Sequence, residues 1–423
     1  VLFKIFIENR PKKGLSPVSL RIALESLISF ALFGVVGILV SVSMRIFYVL
    51  APVSKTRKYK VMGKMMSFFQ GFILGLKPTV KRKMLGKQYF DKSKQTVIIS
   101  NHTSFLDSLA QGMYHSNIVY LVNDWVIKSS IFGRFAKAAG FYPVTEGAED
   151  SIQHLKDRIG TDFSIMVFPE GTRSYSHEIK RFHKGAFYVA QQLQLPIQPI
   201  LLHGVGEMIP KGDYMIYDGH IINKVLPAIE PNDARFGVDY AERTKKVSRY
   251  YKEQFEELRK ELETPDYYRQ KLFLNYLYKE HHIVKTVKSD FKEYKKAYWE
   301  LNHLIDAKQA LVHFTNDYGQ TDFLLLKHAP SRKIQTVNTN DEAREVSQTS
   351  YLAQIRDLRY VPSFSEVEQS KSFNVLLCSH GAEVPDEVLN KFSKVFCFLS
   401  PNVVPKTMHC VLQTNEIQVY EQR

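Results

Sequence analysis

Ser100-Asn101-His102-Thr103-Ser104-Phe105-Leu106-Asp107 follows the apolar run Val97-Ile98-Ile99. A short β-branched run that ends in small polar residues reads as a strand entering a strand-to-helix turn. Further along, Phe168-Pro169-Glu170-Gly171-Thr172-Arg173-Ser174 follows a second apolar run, Ile165-Met166-Val167. The first segment offers a histidine and a carboxylate at a strand end. The second offers a glycine, a hydroxyl and a guanidinium at another. Between and around them short apolar runs at 96–100, 118–122, 164–168, 197–202 and 214–217 alternate with helical patterns, as α/β domains do. Those two loops decide the fold class, because open α/β sheets gather their polar loops at the carboxyl ends of strands.

The chemistry of the two loops is complementary. A hydroxyl is a weak nucleophile at neutral pH until a base removes its proton. His102 titrates in the right range, and Asp107 is close enough in sequence to fold back and accept the imidazole N–H. The same Ser104-x-x-Asp107 spacing fits a helix capping box with Asp107 bonded only to backbone, and the two readings are compatible. In the second loop Gly171 lets backbone N–H groups approach an anion, and Arg173 can grip a phosphate bidentately. Glu170 can orient that arginine or a nearby lysine, and Thr172 can cap the turn. Lys180, Arg181, His183 and Lys184 either line the same anion site or form a solvated face. A base beside an anion-binding loop suits acyl transfer to an alcohol.

Length and charge frame these loops. The 423 residues are enough for two or three domains with separate cores. The formal net charge is +14, and residues 45–94 carry thirteen Lys/Arg against one acid, Asp91. Nucleic acid, an anionic membrane and an anionic carrier protein would each attract such a stretch. It directly follows an apolar segment, which favours the membrane over nucleic acid. Residues 26–44 run without a charge between Glu25 and Arg45, long enough for roughly 28 Å of helix, close to a bilayer core. Residues 65–76 read as a shorter interfacial helix. Basic residues flank the first segment on both sides, so its orientation is not set by charge. The first methionine is Met44, and no cleavable signal pattern precedes it, which suggests a piece of a longer polypeptide. Cys378, Cys397 and Cys410 lack metal-ligand spacing and read as reduced thiols.

The motifs resemble those of the glycerolipid acyltransferases, which acylate glycerol-3-phosphate and lysophospholipids. That family carries an Asn-His-x4-Asp block, here Asn101 to Asp107, and a Pro-Glu-Gly-Thr-Arg-Ser block, here Pro169 to Ser174. Its proline-bearing apolar block is matched by Leu195-Pro196-Ile197-Gln198-Pro199-Ile200. The resemblance implies that His102 and Asp107 form a base dyad, and that Glu170, Gly171, Thr172, Arg173 and Lys184 bind the acceptor. It also implies acyl-CoA or acyl carrier protein as thioester co-substrate, with no bound cofactor or metal. The expected location is the inner membrane, with the catalytic domain on the cytoplasmic face. One block departs from the pattern: Gly140-Phe141-Tyr142-Pro143-Val144-Thr145-Glu146 lacks the arginine usually placed there. Either another cation substitutes (Arg134, Lys137, Arg181 or Lys184), or the acceptor is a specialised, non-phosphate lipid.

Beyond residue 263 the pattern changes. Residues 267–305 read as helical, and strands return at 311–315, 333–337, 374–378 and 395–399. The expected organisation is membrane-associated helices over 1–94, an acyltransferase-type α/β domain over 95–263, a helical linker over 264–308, and a degenerate Rossmann-like domain over 309–423. This tail is similar to a methyltransferase, as in bacterial fusions that also carry a lipid exporter. Its first turn, Thr315-Asn316-Asp317-Tyr318-Gly319, holds a single glycine, and asparagine (Asn338, Asn340) stands where an acid is expected. His281, His282 and His313 read as structural, and His380 is assigned no catalytic role. Two rival functions are a catalytically silent membrane adaptor and a methyltransferase acting through the tail.

Overall fold

A computed structural model describes residue 6 and residues 9–122, 127–128, 141–143, 163–175, 178–368, 372–400 and 402–422. The chain divides into two compact units, Leu20–Arg259 on the one hand, and Lys260–Arg423 with the first nineteen residues on the other.

The first unit is built on a seven-stranded sheet. Its strands are β1 (Lys81–Leu85), β2 (Val97–Ser100), β3 (Ile118–Val122), β4 (Tyr142–Pro143), β5 (Ser164–Val167), β6 (Ile197–His203) and β7 (His220–Val225). They lie in the order β1-β7-β6-β2-β5-β3-β4, every neighbour parallel except the β6–β7 pair. All four residues of β2 are buried, as expected of a central strand covered on both faces. Ile98, Ile118, Met166 and Ile200 pack on one face, and Leu109, Ala110, Leu202 and Ile221 on the other. Each of the leucine, isoleucine and methionine side chains contributes about 1.5–3 kcal/mol when fully buried.

Residues 214–217 do not form the expected strand; the strand is β7, immediately after. Two polar interactions account for this. Asp213 accepts from Met215 N at 3.1 Å and from the Tyr217 hydroxyl at 2.9 Å, which curls the segment into a turn. Tyr217 N then bonds Met208 O at 2.9 Å rather than a neighbouring strand.

The apolar segment is a helix of 31 residues, Leu20–Leu50, longer than the charge-free stretch inside it and long enough to cross a membrane. Leu27, Ile38 and Leu39 are exposed along it. Its start is fastened to the sheet domain: Lys77 Nζ lies 3.0 Å from both Glu25 and Asp218, and the Ser26 hydroxyl accepts from Ile216 N at 2.8 Å. The second helix, Lys55–Gly75, buries Met62, Met66 and Phe69 and leaves Phe68 three-quarters exposed. Exposed Phe68 and Phe72, preceded on the same stripe by Lys60 and Lys64, suit the interfacial reading.

The second unit is Rossmann-like. Its strands are β8 (Leu311–Phe314), β9 (Ile334–Val337), β10 (Leu358–Val361), β11 (Val375–Ser379), β12 (Lys394–Phe398), β13 (Met408–Gln413) and β14 (Ile417–Gln422). The order is β10-β9-β8-β11-β12-β14-β13, and only β14 runs antiparallel to its neighbours. The chain winds outward in opposite directions from β8 and β11, which sets a topological switch point between them. β13 forms the sheet edge and β14 returns in a tight hairpin to fill the slot beside β12.

Residues 264–308 were expected as a linker, but they belong to this unit. The helices Pro265–Asn275 and His281–Leu304 put Leu272, Ile283, Val287, Phe291 and Leu301 into one core with Leu311, Leu325 and Phe396. The spacing 283, 287, 291 is the buried stripe of an amphipathic helix, and a stripe needs a surface to cover. The first residues also group here rather than with the membrane-type helices: the Tyr278 hydroxyl donates to Val18 O at 3.0 Å.

Candidate active site

β2 and β5 are parallel neighbours, with Ile99 opposite Val167. Their carboxyl ends therefore deliver the His102 loop and the Glu170 loop side by side, although 68 positions separate the two residues in sequence. The loops are then bonded together. Ser174 N donates to His102 O at 2.7 Å, and His102 N donates to Glu170 Oε1 at 2.7 Å.

Asn101 anchors the base of the first loop. Its Nδ2 donates to Leu202 O and its Oδ1 accepts from Leu202 N, both at 2.8 Å, which ties the loop to β6. The buried Tyr251 hydroxyl sits on the same group: it accepts from Asn101 N at 2.9 Å and donates toward Asn101 Oδ1 and Ile200 O. Burial holds the Tyr251 phenol well above its ordinary range, so it stays a neutral hydroxyl.

His102 Nδ1 lies 2.8 Å from Asp107 Oδ2. That oxygen also accepts from Thr103 N at 2.6 Å and Ser104 N at 2.8 Å, so the carboxylate gathers the turn that precedes the helix Asp107–Gly112 and holds the imidazole at once. A carboxylate taking two backbone N–H bonds is an acceptor, which places the Nδ1 proton on His102 and leaves the Nε2 lone pair for a substrate. Asp107 is fully buried while the His102 side chain keeps a quarter of its surface. The ring lies flat on Phe168, centroids 4.3 Å apart and planes inclined by 16°. No described residue bonds Nε2. The base is thus oriented at one nitrogen and open at the other.

Glu170 has a different place from the one its neighbours in sequence suggest. Its carboxyl is buried and spent on backbone: Oε1 holds His102 N, and Oε2 holds Lys180 N at 2.9 Å. Burial raises its pKa, partly offset by those two N–H donors. It shapes the loops and offers no free oxygen to an acceptor. Gly171 has φ +67°, and a Cβ there would meet the His183 ring at 3.2–3.3 Å, which accounts for glycine at this turn. Thr172 and Lys184 are exposed, and Arg173 is half-buried. Lys184 sits at the start of the helix Gly185–Leu193 without capping it through its side chain. Of the departing block, Phe141, Tyr142 and Pro143 are described; its remaining residues, like Arg134 and Lys137, lie outside the described residues.

Two participants, Tyr251 and Lys211, are not visible from the motifs, and a third, Ser104, acts otherwise than its motif suggests. Tyr251 lies in the charged helix Tyr240–Leu262, where a buried hydroxyl has no local signature. Ser104 Oγ donates to Ile209 O at 2.9 Å, which fastens the loop to the turn after β6. Lys211, in the Pro210-Lys211-Gly212 turn, donates its Nζ to Arg173 O at 3.0 Å. A proline and a glycine flanking one lysine after a strand is the signal that would have marked it.

Residues 81–203 match the family model described as Acyltransferase. This segment is similar to the acyltransferase family. The chain is 27% identical over 156 residues to 1-acyl-sn-glycerol-3-phosphate acyltransferase alpha of Ovis aries, covering 36% of this chain and 54% of the relative. It is 28% identical over 120 residues to the chloroplastic 1-acyl-sn-glycerol-3-phosphate acyltransferase BAT2 of Brassica napus, covering 27% and 35%. The chain thus spans between a third and about half the length of these relatives. Among solved structures, the 1-acyl-sn-glycerophosphate acyltransferase PlsC of Thermotoga maritima aligns with a TM-score of 0.48 at 20% identity, over 56% of this chain and 96% of that one. A methyltransferase of Geobacter sulfurreducens aligns with a TM-score of 0.25 at 10% identity, over 34% and 90%.

In the second unit the carboxyl ends of β8, β9 and β11 are occupied by their own side chains. Asp317 accepts from Gly319 N and Thr321 N, and Asn338 Nδ2 donates to Asp317 O at 2.9 Å. His380, at the end of β11, is gripped by Asp290 at 2.9 Å, which also accepts from the Tyr298 hydroxyl at 2.5 Å. Asn340 caps the helix Asp341–Gln348 by accepting from Ala343 N.

Proposed function

We propose that this protein transfers a fatty acyl group from a thioester donor, acyl-CoA or acyl carrier protein, to the hydroxyl of a lysophospholipid or glycerophosphate-type acceptor at a membrane. One observation carries the reading: His102 is held through Nδ1 by Asp107 and is open at Nε2. In the step itself, Nε2 removes the acceptor's hydroxyl proton as that oxygen attacks the thioester carbonyl. The C–S bond breaks, and the imidazolium returns the proton to the departing thiolate. The nucleophile belongs to the substrate, so no acyl-enzyme is formed. The thioester brings its own activation, and the reaction runs without a bound cofactor.

Arg173, on the loop bonded to His102, is placed to meet the acceptor's anionic group, and Gly171 keeps the approach open. An apolar cavity lined by Phe30, Phe33, Phe105, Leu106, Met208 and Ile209 lies against the His102 loop and suits an acyl chain. The helix Leu20–Leu50 and the basic stretch after it support attachment to the inner membrane, with the catalytic sheet on the cytoplasmic side where thioester donors are made. The test is acyl transfer from labelled acyl-CoA and acyl carrier protein to a panel of acceptors, with His102→Ala as control and products identified by mass spectrometry. A His102-dependent diacyl phosphate product is the expected outcome. Product formation that survives the substitution would overturn the mechanism.

A further inference from the structure

The loop that carries Arg173 is clasped by two ammonium groups. Lys180 Nζ and Lys211 Nζ each donate to the Arg173 carbonyl oxygen at 3.0 Å, so the two charges sit within about 6 Å of one another. Lys211 also lies over the Tyr175 ring, 4.0 Å from its centroid. Among the described residues neither lysine has a carboxylate partner, and the Glu170 carboxyl nearby is bonded to backbone instead. Two like charges on one neutral oxygen repel each other, and no described carboxylate neutralises them. Each ammonium carries three donors, and the shared carbonyl takes one from each. The cluster is therefore short of negative charge, and it stands one residue from the Ser174 N–H that bonds His102 O.

We infer that Lys180 and Lys211, together with Arg173, form a triple-cation clamp that binds the phosphate monoester of the acceptor. This rests on the reading of the Arg173 loop as the acceptor site, and it names what that site selects. A dianionic monoester neutralises the lysine pair, whereas a phosphodiester or a neutral lipid does not. The clamp supplies the charge that residues 140–146 lack in sequence. The lysines determine specificity and are not part of the proton-transfer machinery.

The test measures kcat and KM for the full chain in mixed micelles, with lysophosphatidate and with uncharged monoacylglycerol as acceptors, for Lys180→Met, Lys211→Met, the double variant and Lys211→Arg. The double variant should raise KM for lysophosphatidate about tenfold, the scale of a lost charge-assisted hydrogen bond. Its kcat should stay within about twofold, KM for monoacylglycerol and for the thioester should not move, and Lys211→Arg should retain most of the affinity. A fall in kcat with both acceptors at unchanged KM would mean that the lysines only hold the loop, and would overturn the inference. So would a shift confined to the thioester KM, which would hand the clamp to the donor's phosphates. Wild-type turnover of monoacylglycerol but not lysophosphatidate also sinks the clamp, while leaving the His102 mechanism standing if His102→Ala is inactive with that acceptor. Activity surviving in His102→Ala would instead sink the mechanism and not the clamp.

Discussion

Each of the two sheets carries a histidine bonded through Nδ1 to a buried carboxylate, and the two pairs have opposite surroundings. In the first unit His102 meets Asp107 at 2.8 Å and keeps Nε2 open. In the second, His313 meets Asp322 at 2.6 Å, and its Nε2 is closed on the Ser379 hydroxyl at 2.7 Å. Ser379 Oγ also lies 2.7 Å from Thr315 Oγ1, and Thr336 donates to Asp322 Oδ2. The second set has the contacts of a serine–histidine–aspartate relay, yet His313, Asp322 and Ser379 are fully buried. The comparison separates two things that a motif search merges. A carboxylate fixes an imidazole's tautomer in both places, but only an unoccupied second nitrogen makes a base. Where that nitrogen is bonded, the same residues become a buried polar network that holds β8, β11 and the helix Gln320–His328 together.

Substitutions should pull the two pairs apart. His102→Ala should cost about 10²–10⁴ in turnover with no change in unfolding midpoint; equal losses of activity and stability would erase the distinction. Asp107→Asn should cost up to about 10⁴ in turnover, because the ring remains present but an amide favours the wrong tautomer. It should also loosen the turn before the helix, seen as faster amide exchange at Thr103 and Ser104. His313→Ala should do the reverse: about 2–4 kcal/mol off the unfolding of the second unit, followed through Trp299 fluorescence, from a network left with unpaired buried groups. Acyl transfer should continue at the wild-type rate, and a loss of turnover without loss of stability would break the comparison.

The smallest effect concerns a third histidine. Burial pulls the His380 pKa down, but the Asp290 bond and the charges of Asp317 and Asp290 outweigh it and hold it above the ordinary imidazole range. A raised pKa means that the folded unit keeps a proton the unfolded chain releases. That stabilisation is complete below pH of about 6.5 and fades as pH rises through the folded value. Asp290→Asn should flatten this slope. An unchanged slope in urea melts from pH 6 to 9 would remove His380 as its source.

The sequence showed what depends on local order. The apolar runs before residues 100 and 168 located β2 and β5, and the spacing of His102 and Asp107 allowed both dyad and capping box; the structure builds the dyad and only half of the box, because Asp107 Oδ2 accepts from Ser104 N while Ser104 Oγ turns to Ile209 O. What stayed hidden depends on burial and on chain return. Glu170 lies inside a motif whose exposed members face solvent, and nothing in its neighbours says that its carboxyl points inward. Tyr251 and Lys211 reach the site from elements after β6, so their contribution exists only once β6 lies beside β2. The helices over 265–304 looked like a linker because their apolar stripe gives no sign of which surface it covers.

One contact joins the two halves of the proposed task. Phe105, within the His102 loop, sets its ring edge-on to Phe33 of the helix Leu20–Leu50, centroids 5.8 Å apart. A base leaning on a helix of bilayer-spanning length works on a leaflet rather than in a volume. Its substrate supply is then a surface density, and dilution of the whole suspension should matter less than dilution of the acceptor among other lipids.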